Sequence, residues 1–162
     1  MEIISEEIVE QTWKEIGVLG VEDVPDWIKD FNEFQPELCV YLLAIDEELF
    51  NQDEREILFY LGFVIYKIMS KGNKPLKKVS LKAIEAAEQK NWDMAGYLAG
   101  ETKDAEFEKE MAGIIGKYNQ KNVWRYITEA LVEDDPDDGD LRESSKGPMF
   151  IYLKTVLDCL DQ

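Results

Sequence analysis

Apolar positions are densest between Ile57 and Met69, where only Gly62 and Lys67 are not large and apolar. Ile57, Leu61, Val64, Ile65 and Ile68 fall on one helical stripe. Phe59, Tyr60, Phe63 and Tyr66 cover much of the opposite side. The flanks also specify a helix. Asn51 or Asp53 can cap its start, Glu54 and Glu56 suit the positive first turn, and Lys67 and Lys71 suit the negative end. Gly72 and Pro75 then stop it. The pattern predicts a central helix over about residues 53–70. A helix apolar on all sides must be enclosed by others. The run is too short for a membrane span, which needs about 18 or more apolar residues. Gly62 stands at its middle, where glycine costs about 1 kcal/mol against alanine. It is expected to mark the close crossing of another helix.

Helical spacing with capping residues recurs along the rest of the chain. Ser5 precedes a stripe of Ile8, Val9, Trp13 and Ile16 that Gly17 closes, and Val18–Asp23 is a connector. Pro25 opens a helix of about two turns carrying Trp27, Ile28 and Phe31. Pro36 opens the next, with Leu38, Tyr41, Leu42 and Ile45 on its buried side. Ser80 caps a segment with Leu81, Ile84 and Ala87, which Asn91 is expected to interrupt or re-cap before Trp92, Ala95, Tyr97 and Leu98; Gly100 ends it. Thr102 or Asp104 starts a helix with Phe107, Met111, Ile114 and Ile115. Val123, Trp124, Ile127 and Leu131 mark another. Met149, Phe150, Leu153, Val156, Leu157 and Leu160 predict an amphipathic C-terminal helix with Pro148 in its first turn. Strand-period alternation is nearly absent. The expected fold is all-α, a single-domain bundle over residues 1–162, with about seven or eight helices around the central one. Trp13, Trp27, Trp92 and Trp124 are expected to anchor its core.

Charge changes the picture next. The chain carries a formal −17, and 17 acids against 4 bases fall in residues 1–70. Only residues 71–90 are net basic, through Lys71, Lys74, Lys77, Lys78, Lys82 and Lys90. Such a surface opposes direct nucleic-acid binding, which needs phosphate neutralisation, and attachment to anionic membranes. Lys71, Lys74, Lys77 and Lys78 are expected to neutralise nearby acids and the end of the central helix. Cys39 and Cys159 belong to no metal or redox motif and are expected as buried free thiols, as suits a cytoplasmic protein. Nothing at Met1–Gly17 has the pattern of a signal peptide.

Candidate chemistry is sparse. The chain has no histidine, which removes the commonest general base and zinc ligand. No phosphate-loop or dinucleotide motif occurs. The pairs Glu6/Glu10, Asp104/Glu108 and Glu106/Glu110 are read as solvated faces. The weak metal candidate is the loop of Asp134, Asp135, Asp137, Asp138 and Asp140 around Gly139. Aligned as an EF-hand, it places Pro136 and Ser145 where two main ligands belong, so a solvated turn is expected. No catalytic residue and no cofactor are assigned.

These observations favour a non-enzymatic protein-interaction module: an adaptor, a regulator, or an immunity- or antitoxin-like inhibitor of a basic partner. The alternative is a small-ligand binder or enzyme with a pocket among aromatic helices, to which Tyr41, Tyr60, Tyr66 and Tyr97 would supply polar groups. A homodimer through a helix face, the C-terminal one for example, is a third reading.

Overall fold

A computed structural model describes the backbone of residues 1–45, 47–101, 113, 116–132 and 141–162, and their side chains except at 97–101. Among these residues there are seven α-helices and no strand. They are α1 (Glu6–Gly17), α2 (Val24–Phe34), α3 (Pro36–Leu43), α4 (Gln52–Ser70), α5 (Leu81–Glu101), α6 (Lys121–Val132) and α7 (Glu143–Leu160), with a 3₁₀ turn at Val21–Asp23 before α2. The expected helix after Thr102, with Phe107 and Met111, lies outside the described residues, as does the acidic loop of Asp134 to Asp140. Among the described residues no helix is long and apolar enough to cross a membrane.

The all-α expectation holds, and α4 is its organiser. The helix packs against α1, α2, α3, α6 and α7. Leu58, Val64, Ile65, Ile68 and Met69 are wholly shielded from solvent. The start of α4 is fixed by a reciprocal capping box: Asn51 Oδ1 accepts from the Glu54 amide at 2.9 Å, and Glu54 Oε2 accepts from the Asn51 amide at 3.0 Å. Gly62 is indeed a crossing point, because a Cβ there would collide with Leu42 of α3.

The C-terminal helix differs from its expected form. It begins at Glu143 rather than beside Pro148, so Pro148 lies inside it. Its missing N–H leaves one helical bond unmade. The earlier start follows from Arg142, which is tied to Glu54 of α4 just before the first turn. Nor is α7 a surface helix. Enclosed by α4, α5 and α6, it is buried on nearly every side from Met149 to Leu160.

Two further expectations are corrected. Asn91 does not interrupt its helix; α5 runs unbroken from Leu81 to Glu101. The Asn91 side chain is turned into the interface with α7 instead of back onto its own backbone. Of the tryptophans, only Trp124 is fully buried. Trp13 and Trp92 are each 37% exposed, and Trp27 is half-buried. Trp13 stacks on Tyr126 and Trp92 meets Tyr152 edge-on, so they seal the rim of the core rather than fill it.

The loops are held by side-chain amides. Gln35 donates to the Lys77 carbonyl and accepts from the Val79 amide, both at 2.9 Å. Gln120 accepts from the Ile4 amide at 3.0 Å and donates to the Glu2 carbonyl at 2.9 Å. Ser5 Oγ accepts from the Ile8 amide at the start of α1, and Ser80 Oγ accepts from the Ala83 amide at the start of α5, as their positions suggested.

Candidate functional site

The connector between α1 and α2 leaves apolar residues at the surface. Asp23 Oδ2 accepts from the Gly20 amide at 2.9 Å, and the Asp23 amide bonds back to the Gly20 carbonyl at 3.0 Å. This tight turn holds Leu19 and Val21 away from the core; Val21 is 86% exposed. On the other side, α3 ends with Leu42 buried and Leu43 half exposed. Between these edges and the first turns of α4 lies a groove of about 780 Å³.

Its floor is apolar, formed in part by Trp27, Ile28, Ile57 and Phe59. Trp27 is fixed there by stacking on Phe63, with ring centroids 5.3 Å apart. The contribution of α4 runs from Gln52 to Tyr60 and recurs at helical spacing, so the groove follows the helix axis over two turns.

Asp53 and Glu56 stand exposed on that wall. Arg55 lies between them in sequence, but its guanidinium is already engaged. Nη1 donates to Glu47 at 3.3 Å and Nη2 to Gln52 at 2.8 Å. Its Nε is shielded from solvent and has no partner among the described residues. The groove is therefore an apolar trough with an acidic margin. Burial raises the pKa of Tyr60, which remains a neutral phenol.

Comparison with protein-family models, curated proteins and solved structures finds no match. The site must be read from its own chemistry. Among the described residues, no group of three or more His, Cys, Asp or Glu is placed to hold a metal ion.

Of the tyrosines named from sequence, the three with described side chains do not converge. Only Tyr60 lines the groove. Tyr41 donates to Glu88 at 3.1 Å, and Tyr66 stacks on Phe31 at 4.8 Å. The Tyr97 side chain lies outside the described residues. So do Asp134, Asp135, Asp137, Asp138 and Asp140, together with Asp104/Glu108 and Glu106/Glu110. Glu6 and Glu10 each meet a base rather than each other: Arg125 at 2.9 Å and Lys14 at 2.5 Å. In the basic loop, Lys71 pairs with Glu15 at 2.6 Å, and Lys74, Lys77 and Lys78 are exposed. Cys39 and Cys159 are free and buried, as expected.

Sequence reading missed one polar cluster. Lys154 Nζ donates to Asn91 Oδ1 at 3.0 Å and to Asp158 Oδ2 at 2.7 Å. Asn91 in turn donates to Thr155 Oγ1 and to Asp158. Burial pushes the Lys154 amine down to about 8 and the Asp158 carboxyl up to about 6. Every member has a partner, so the cluster fastens α5 to α7. The available signal was a Lys/Asp pair four residues apart inside an apolar run.

Proposed function

We propose that the protein is a non-enzymatic interaction module that binds a basic protein partner through the groove beside α4. One observation carries this reading: an apolar trough opens within residues 1–70, which hold 17 acids against 4 bases, and has carboxylates on its margin. Apolar burial supplies affinity, and the acidic field steers and selects the partner. Adaptor, regulator and immunity-like inhibitor are all roles for such a surface. The polar groups of the groove include no nucleophile paired with a base.

The test is purification of the native complex at low salt, with a Leu43→Glu variant in parallel. Leu43 is exposed, so the change leaves the core intact. The expected result is a basic protein retained by the wild type, lost from the variant, and released at about 1 M salt, where the screening length is about 3 Å. Equal retention by both proteins counts against the groove.

A second reading, binding of a small molecule, is favoured by the groove volume. It lies within the roughly 300–1,000 Å³ usual for such sites. A fragment that raises the melting temperature of the wild type and not of Leu43→Glu would support it.

A further inference from the structure

We infer that the groove takes a short amphipathic helix from the partner, about three turns long, with bulky apolar side chains at i, i+3 or i+4, and i+7 and lysine or arginine beside them. The inference rests on the groove being the docking surface proposed above. It goes further by fixing the secondary structure and charge of the occupant.

Shape is the first reason. The wall from Gln52 to Tyr60 covers two helical turns, about 12 Å. A segment lying along it presents one face to an apolar floor, which is the geometry of a helix seated in a groove.

Backbone chemistry is the second. Apart from the first-turn amides of α4 at Gln52 and Asp53, the walls are mostly helices whose main-chain groups bond internally, and the described residues contain no strand edge to pair with an extended segment. In the connector, the Leu19 amide goes to the Ile16 carbonyl, the Gly20 amide to Asp23, and the Asp23 amide to Gly20. An extended segment entering here would bury N–H and C=O groups without partners, at a cost of about 1–3 kcal/mol each. A helix brings its own backbone bonds.

Charge is the third. Asp53 and Glu56 are exposed on the wall, whereas the Arg55 guanidinium is occupied by Glu47 and Gln52. The margin left for an occupant is acidic and complements lysine or arginine flanking its apolar stripe.

Three synthetic peptides of about 11 residues test this by fluorescence anisotropy with the full chain. One is a leucine–lysine helix, one the same pattern with glutamate for lysine, and one the lysine peptide with a central proline that breaks the helix. The lysine helix is expected to bind about tenfold or more tighter than either control, and Leu43→Glu to weaken it about tenfold. The double variant Asp53→Asn/Glu56→Gln is expected to erase the preference for lysine over glutamate. Equal binding of all three peptides, still sensitive to Leu43→Glu, would overturn the helix inference and leave the groove standing. Lysine-helix binding unaffected by Leu43→Glu would sink both readings, since only diffuse attraction to an acidic surface would remain. No binding by any peptide would also overturn the helix inference, while the native-complex purification judges the groove independently.

Discussion

Gly62 of α4 and Leu42 of α3 occupy adjoining space so closely that a methyl group at Gly62 would run into Leu42 Cδ1, with Cγ and Cδ2 at 3.4 Å. Glycine at this position trades helix propensity for a close crossing. Leu42 also borders the groove, so it has some room to turn aside. Gly62→Ala should therefore cost only about 1–2 kcal/mol, its gain in propensity offset by overpacking. Gly62→Leu should cost more than about 3 kcal/mol. Combining Gly62→Ala with Leu42→Ala should cost less than the sum of the single changes by about 1 kcal/mol or more, because the second removes the obstacle to the first. Strict additivity in urea unfolding would show that the two residues do not compete for space.

That crossing was legible because its signals are local: period, caps and one misplaced glycine all lie within α4. Features built from distant residues were not. Glu54 looks like an ordinary first-turn acid until Arg142, 88 positions away, is placed against it. Asn91 reads as a helix breaker because its partners Lys154 and Asp158 are 63 and 67 positions on. The groove draws on the connector, α2, α3 and α4 together. Leu19, Val21 and Leu43 each look like routine apolar residues, and only their exposure on facing edges makes a site.

The Glu54–Arg142 contact should govern acid stability. The Glu54 side chain is wholly buried, and Arg142 reaches both its oxygens, at 2.9 and 2.7 Å. The guanidinium holds the folded pKa near 2, against an ordinary value of 4.5. Between those values the unfolded chain binds more protons, so stability rises with pH through this window. The contribution is fully present above 4.5 and lost as pH falls toward 2. Asp158 acts oppositely, its raised pKa favouring the folded state at low pH, so wild type and variant must be compared. Glu54→Gln should lose roughly 2–3 kcal/mol at pH 7 and show a flatter acid limb. Parallel acid limbs would mean the ion pair contributes nothing to it.

Lys154 should give a slope of the same sign in alkali. Burial lowers its folded pKa to about 8 from 10.5. Between these values the unfolded chain holds more protons, so this group makes the protein more stable as pH rises. Lys154→Met should cost roughly 3 kcal/mol at pH 7, because it removes one partner of a largely buried pair and leaves the Asp158 carboxylate uncompensated. It should remove the alkaline gain seen in the difference between the two proteins. Asn91→Ala should cost roughly 2 kcal/mol, because it leaves buried polar atoms of Lys154 and Thr155 short of partners. Chemical denaturation from pH 7 to pH 10 separates the two roles, and an unchanged alkaline slope in Lys154→Met would remove Lys154 as its source.

Gln35 should control the order of the loop after α4. Its carboxamide is 1% exposed and pairs with the backbone as a neighbouring strand would, accepting from the Val79 amide and donating to the Lys77 carbonyl. Of the exposed lysines around it, Lys71 pairs with Glu15 of α1. Gln35→Leu keeps apolar volume near the site but leaves both backbone groups unpaired, at a cost of roughly 2–3 kcal/mol. Local opening should then precede global unfolding at this loop. Hydrogen exchange at the Val79 amide should accelerate by about 30-fold or more, while the amides of Ile65 and Ile68 in α4 should follow only the global loss of stability. Equal acceleration at all three amides would show that the loop is held by the packing of Val79 alone.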